Sequence, residues 1–313
     1  MKVIFFGSPR EVIPILKSLV KSNEVLAVYS KPARPAGRSK NLTKTPVHET
    51  SQDLRIRVET PVSLDDGQIV KQLMEFNADV FIVAAYGKIL PYRVLKIPKF
   101  GVINIHPSFL PLFRGPSPVA TTILKGSPET GVSIMLMDEG VDTGPIIYRS
   151  PAIRLVGLET TDSLTKKLFD ISADMLPEVL TSFSKGELIA EKQDENLATF
   201  TKLLNRKDGH IDWSLSAGHL EKMVRAYNPW PGTFTLMSGR NLKILRARVS
   251  QKQKWPKKLN GTVSICDGKI FVACGIGELE ILELQLAGSK ATVSSSFCNG
   301  YPGLNDLVLD EQT

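Results

Sequence analysis

Cysteine is scarce in this chain of 313 residues: Cys266, Cys274 and Cys298 are odd in number and show no CxxC spacing. Neither a disulfide framework nor a structural zinc site is expected from them. No apolar run approaches the length that spans a bilayer. The opening MKVIFFGSPRE has one early lysine and an apolar run that stops at Gly7, too short for a secretion signal, so a cytoplasmic protein is expected. The GxGxxG and GxxxxGK[ST] signatures are both missing, which leaves dinucleotide and nucleoside triphosphate binding without their usual marks. Internal repeats and low-complexity tracts are missing as well.

Acidic residues are lacking from two long basic stretches. One runs from Lys31 through Arg34, Arg38 and Lys40 to Lys44; the other carries Arg240, Lys243, Arg246, Arg248, Lys252, Lys254, Lys257 and Lys258. With a net charge of +7, one such block fits a solvated surface as well as nucleic-acid contact. Two separate acid-free blocks point towards a polyanion.

What is present is enough apolar residue, 42%, to build a large core, and length favours two domains. The first half alternates short apolar runs with helical patterns: KVIFF then EVIPILKSLV, EVLAVYS then a loop, an extended run around IRVET, DGQIVKQLMEF, ADVFIVAAYG and GVINIH. That alternation predicts an α/β domain with a mostly parallel sheet, and runs such as VFIVAA predict strands buried on both faces. Further helices are expected near Val119–Lys125 and from Thr161 to about Lys185, with strands in TGVSIMLMDEG and PIIYRSPAIRL. The polar stretch EKQDENLATFTKLLNRKDG is expected to be a linker that crosses the first domain. A helix at SAGHLEKMVRAY is stopped by NPWPG, and from Thr233 short alternating strands predict a small β-barrel. The expected boundaries are 1–188, a linker at 189–207, and 208–313.

Asn104 and His106 lie two apart at the end of GVINIH, before the proline-rich PSFLPLFRGPSP. On a strand they share a side, with Ile103 and Ile105 on the other. Asp142 sits in the glycine-bounded turn MDEGVDTGPII. All three fall at expected carboxyl ends of strands, where open α/β sheets bind ligands. An amide donor, an imidazole and a carboxylate together suit acyl-type transfer, which needs an oxyanion stabilised and a proton moved. The turn in FFGSP can present backbone N–H groups to an anion. In the loop SKPARPAGRSKNLTKTPV, prolines and glycine hold five cations on an extended backbone, as phosphate contact requires.

The segment INIHPSFLP resembles the signature shared by folate-dependent formyltransferases. KPARPAGRSKNL and IDWSLSAGHLEKMVRAYNPWPG are similar to two features of the methionyl-tRNA formyltransferase family: its insertion facing the tRNA acceptor arm and the entry to its OB-like carboxyl-terminal domain. The likeness covers nearly the whole chain. Pro107, Phe113 and Pro116–Ser117 depart from the residues usual in that family. The resemblance implies a Rossmann-like formyltransferase domain and transfer of formyl from 10-formyltetrahydrofolate to the amine of methionyl-initiator tRNA, with no metal. It implies that Asn104 and His106 stabilise the oxyanion while Asp142 orients His106 and helps remove the amine proton. Ser108, Phe109, Leu110, Pro111, Tyr86 and Gly87 would border the folate. Arg34, Arg38, Lys40, Lys44, Arg240, Lys243 and Arg246 would contact tRNA, and a monomer is expected.

Two other classes stay open on the residues alone. A non-enzymatic nucleic-acid-binding protein would use the basic stretches and leave the three polar residues idle. A sugar-amine or nucleotide formyltransferase, or a formyltetrahydrofolate hydrolase, would use those three and have no need of the Lys31–Lys44 loop.

Overall fold

The computed structural model describes residues 1–36, 41–251 and 258–310. The chain forms two compact units. The first comprises Met1–Pro118, Glu129–Arg154 and Leu164–Lys202; the second comprises Val119–Pro128, Leu155–Ser163 and Leu203–Thr313.

The first unit is built on seven strands: β1 (Lys2–Gly7), β2 (Glu24–Tyr29), β3 (Val58–Glu59), β4 (Val80–Ala84), β5 (Val102–His106), β6 (Ser133–Leu136) and β7 (Ile146–Arg149). They are ordered β7-β6-β5-β4-β1-β2-β3. Every pair from β5 to β3 is parallel, and β6 and β7 add antiparallel. The unbroken apolar runs do what they predict: Val3 to Phe6 and all of β4 are buried. Helix α1 (Ile13–Ser22) covers the sheet with Ile15, Leu16 and Leu19. Each of these fully buried aliphatic side chains contributes about 1.5–3 kcal/mol through area removed from water.

Capping residues set where the helices begin. Thr45 accepts the His48 N–H ahead of α2 (Pro46–Asp53), and Asp66 accepts the Gln68 N–H ahead of α3 (Gly67–Glu75). The helices expected near 119–125 and from 161 are α4 (Pro118–Lys125) and α5 (Thr161–Ser184), the second with Pro177 inside it. Part of the basic loop is more ordered than expected, since Arg34–Ala36 pairs antiparallel with Asn41–Thr43.

The strand order reverses at β1, whose chain leaves towards β2 and returns at β4. Ligand crevices open outside the carboxyl ends of strands at such a point. There the Ser8 hydroxyl donates to the Tyr86 carbonyl at 3.3 Å. The end of β5, with Asn104 and His106, lies one strand further along.

In the second unit, α6 (Ala217–Ala226) is capped by Ser216 and stops where the sequence predicts, at Tyr227. Six antiparallel strands follow: β8 (Thr233–Met237), β9 (Arg240–Val249), β10 (Val263–Cys266), β11 (Lys269–Ala273), β12 (Glu278–Leu286) and β13 (Thr292–Val293). The order is β8-β9-β12-β11-β10, with β13 on β12. Its two outer strands are joined through residues 306–310. Val263 N–H donates to Leu307 O and Asp306 N–H to Val263 O on one side, while Asp310 N–H donates to Leu236 O on the other. Asp310 Oδ1 also accepts from Leu236 N–H at 2.7 Å. Leu309, buried, packs inside this closure.

Deleting residues from 306 onward removes these bonds and uncovers two strand edges. Net hydrogen-bond values near 1 kcal/mol each, plus one buried leucine, predict a loss on the order of 6 kcal/mol. Denaturant unfolding would detect it, and an unchanged midpoint would show that the segment does not close the sheet.

Candidate active site

Asn104 and His106 are brought together with Asp142, although 36 residues separate His106 from Asp142 in the chain. Asp142 Oδ2 lies 3.3 Å from His106 Nε2. Its Oδ1 accepts a long bond from Asn104 Nδ2 at 3.4 Å, and Oδ2 accepts the Gly115 N–H at 2.7 Å. His106 is 4% exposed, so the imidazole and carboxylate meet out of bulk water. The 3.3 Å approach is a charge contact rather than an aligned hydrogen bond, since His106 Nε2 has no hydrogen-bond partner of good geometry among the described residues.

The other ring nitrogen fixes the tautomer. His106 Nδ1 is 3.0 Å from Ser108 Oγ, whose own proton goes to the Leu112 carbonyl at 2.8 Å. With that proton committed, Ser108 accepts and Nδ1 must donate. Nε2 is therefore the nitrogen turned towards Asp142, and a proton there makes the ring an imidazolium facing a carboxylate.

Burial pushes the Asp142 carboxyl up. The pairing with His106, the Gly115 N–H and the Arg114 charge outweigh it and hold the group below its ordinary 3.8.

Local backbone puts Asp142 there. Its φ is +56°, in the left-handed region, which costs a non-glycine residue roughly 1–2 kcal/mol. The turn is braced by Asp138 Oδ1, which accepts from Gly140 N–H at 3.1 Å and from Thr143 Oγ1 at 2.6 Å. At Gly144 a Cβ would stand 1.9 Å from the Leu136 carbonyl, so only glycine lets the turn lie against β6.

Of the residues expected to border folate, Ser108 to Pro111 are on the same loop as His106. Ser108 is fully buried as that residue's partner, and Ser133 Oγ accepts from Leu110 N–H and donates to Ser108 O. Leu110 packs with Met135 and Ile146, and Phe109 lies half-buried over Gly131. Tyr86 and Gly87 are placed elsewhere, at the end of β4. The Tyr86 ring is core, edge-on to Phe6, and burial pushes its hydroxyl up to about 12. Gly87, with φ +70°, lies under the Lys31 ammonium.

The sequence reading missed Gly115, Arg114 and Gln193. Arg114 is 1% exposed and forks onto Glu195 with two bonds of 2.8 Å and onto Gln193. An arginine followed by glycine in a proline-rich loop was the one available signal. Gln193, inside a stretch expected to be a linker, offered none.

Among the tRNA candidates, Arg34 and Lys44 are exposed, Lys44 donating to Gln52 at 2.9 Å. Arg38 and Lys40 lie outside the described residues, as do Lys252, Lys254 and Lys257. Arg240, Lys243 and Arg246 are exposed along β9. The block is less bare than its sequence, because Arg248 pairs with Glu280 and Lys258 with Asp306. Lys88 joins the first cluster unforeseen: burial, then Arg34 and Lys31, push its ammonium down.

A groove of about 450 Å³ between Lys17, Lys21, Asp170 and Asp174, and one of about 530 Å³ lined by Glu159, Glu221, Lys222 and Arg225, include none of Asn104, His106 and Asp142. Among the described residues, no cluster of three or more His, Cys, Asp or Glu could hold a metal, and no helix is long and apolar enough to cross a membrane.

An α/β unit with an amide, imidazole and carboxylate at its strand ends, followed by an antiparallel β unit, is the architecture of a formyltransferase. Residues 1–180 match the Formyl transferase family and 203–302 the family Formyl transferase, C-terminal domain. The chain is 43% identical to a methionyl-tRNA formyltransferase of Roseiflexus castenholzii, over 96% of each chain. It is 42% identical to one from Roseiflexus sp., over 96% of this chain and 92% of that one. An N-formyltransferase from Helicobacter canadensis has the same fold, with a TM-score of 0.65 at 16% identity over 93% of this chain and all of that one. So does HypX from Aquifex aeolicus, with a TM-score of 0.66 at 16% identity over 98% of this chain; this chain spans about half of that protein, 48%. The chain belongs to the methionyl-tRNA formyltransferase family.

The depressed Asp142 carboxyl gives a pH-dependent stability. Because the folded group titrates below the unfolded one, its contribution is complete above the ordinary value of 3.8 and is lost as the pH falls through the folded value. The stability difference between the wild type and Asp142→Asn should therefore be constant near neutrality and shrink in acid. A difference flat down to pH 3 in denaturant titrations would contradict the pairing.

Proposed function

We propose that the protein transfers the formyl group of 10-formyltetrahydrofolate to the free amine of methionyl-initiator tRNA, in the cytoplasm and as a monomer. The observation that carries the reading is the Asn104, His106 and Asp142 constellation at the strand ends of a family member. The folate supplies an activated formyl carbon when bound. His106 Nε2, buried and without an aligned partner, fits such a polar group, as does the half-buried Asn104 amide. A structure described as HypX in complex with tetrahydrofolic acid, and one of the Helicobacter enzyme with folinic acid, support a folate for this fold.

His106 and Asn104 donate to the oxyanion that develops when an amine attacks a formyl carbon. One such preorganised donor is worth about 3 kcal/mol. Asp142 balances the charge on His106 and helps take the amine proton, directly or through water, while the formyl carbon's bond to the folate nitrogen breaks and that nitrogen leaves carrying a proton. Ser108 holds the imidazole through Nδ1. Phe109, Leu110, Pro111 and the backbone at Tyr86 and Gly87 would border the folate; burial of the Tyr86 ring supports a contact through main-chain groups rather than the hydroxyl.

Residues 1–188 would carry the chemistry, 189–207 the connection, and 208–313 a share of tRNA binding. Arg34, Arg38, Lys40 and Lys44 suit the acceptor end, and Arg240, Lys243 and Arg246 the phosphate backbone. The lowered ammonium groups of Lys31 and Lys88, each shifted first by burial and then by neighbouring cations, support an anion at this place.

His106→Ala should lower formylation of charged initiator tRNA by at least about a hundredfold. Retention of more than a tenth of wild-type turnover would contradict the assigned role, whereas tRNA binding by filter retention should persist. Arg34→Ala with Lys44→Ala should weaken that binding and lower the slope of log affinity against log salt by about one to two. Affinity unchanged at low and high salt would make the loop a bystander.

A further inference from the structure

The stretch expected as a linker lies along the first unit as a strap fastened at two places. Glu191 and Ile146 exchange two backbone bonds of 2.8 Å, and Arg114 donates to Thr199 O and accepts from Thr201 N–H, both at 2.8 Å. Between these points Gln193 turns inward. Its Nε2 donates to Asp142 O at 2.8 Å and to Gly144 O at 2.7 Å, while Oε1 accepts from Arg114 Nε at 3.1 Å and Nη2 at 2.9 Å. Both hydrogens and both acceptor sites of the amide are used.

We infer that Gln193 is a positioning residue for the transfer reaction, its amide fixing the two carbonyls of the left-handed turn that aims Asp142 at His106. The inference rests on the role proposed above for Asp142. Only an amide meets the demands of this place. Two carbonyl oxygens require donors on one side, and the Arg114 guanidinium requires an acceptor on the other. A carboxylate would turn lone pairs on both carbonyls, and a cation would face Arg114. Asparagine is one methylene too short to span the same partners. The side chain touches no reacting atom, so its effect must pass through the carboxylate.

Gln193→Glu keeps the volume and the acceptor for Arg114 and removes both donors. The first readout is the Gly115 amide proton, which donates to Asp142 Oδ2 at 2.7 Å and so reports where that carboxylate stands. Resolved by NMR in the full-length chain, its exchange with solvent should accelerate about tenfold or more in the variant. The second readout is turnover. kcat should fall about tenfold or more with KM for donor and acceptor within about twofold, and the same change in an Asp142→Asn background should cost less than about twofold. Equal losses in both backgrounds, or unaltered exchange at Gly115, would overturn the inference. If Gln193→Glu does not fold, Gln193→Met, uncharged and of similar length, carries the same two readouts. A wild-type protein that leaves methionyl-tRNA unformylated, while the Gly115 amide responds as expected, would sink the acceptor assignment and leave the positioning role standing.

Discussion

A buried carboxylate has to be paired, and much of the first unit is arranged around that requirement at Asp142. Each of its oxygens is met by a donor or a cation: Asn104 on one, Gly115 and His106 on the other. Those partners come from β5 and from the loop after it, while Asp142 comes from the turn between β6 and β7. The antiparallel addition of β6 beside β5 is what makes this meeting possible, since it returns the chain alongside the strand that carries His106. Take away the parallel core, and neither strand end is held.

The pairing also explains why so few ordinary features of a turn are left to chance here. Asp142 accepts an unfavourable backbone conformation, Gly144 is denied a side chain, and Asp138 spends its carboxylate on the turn itself. Neither Gly144 nor Asp138 needs to touch a substrate. They convert a sequence position into a direction for one carboxylate.

How much of this could be read from sequence divides by the range of the interaction. Strand positions were legible because burial on both faces of β1 and β4 writes an apolar run, and the helices at DGQIVKQLMEF and SAGHLEKMVRAY were legible from their pattern, whereas α2, between the basic loop and IRVET, was not among the expected elements. Asn104 and His106 were legible as a pair because a strand repeats every two residues. Residue type and turn made Asp142 legible as a candidate, while its partnership with His106 came only from the family resemblance, since nothing in the chain itself announces contact across 36 residues. The strap was legible as a linker crossing the first domain, and its side-chain partners were not. Its polarity resembles that of a solvated connection, yet Gln193, Thr199 and Thr201 spend their polar groups on a loop about eighty residues away. Tyr86, expected along the pocket with the apolar segment around it, has its ring in the core, so the sequence could not tell a side-chain contact from a main-chain one.

Charge along β9 follows the same division. Counted in sequence, the second basic block is free of acid; folded, it lies beside β12, which brings Glu280 to Arg248, and near a turn that brings Asp306 to Lys258. Two of the block's cations thus carry their own counterions, fixed covalently to the fold and not released when a polyanion arrives. Ion-release thermodynamics rewards displaced mobile ions alone, so those two positions add attraction in the count of lysines and arginines without adding the corresponding entropy. Among the described residues of the block, exposed Arg240, Lys243 and Arg246 are side chains that can supply it.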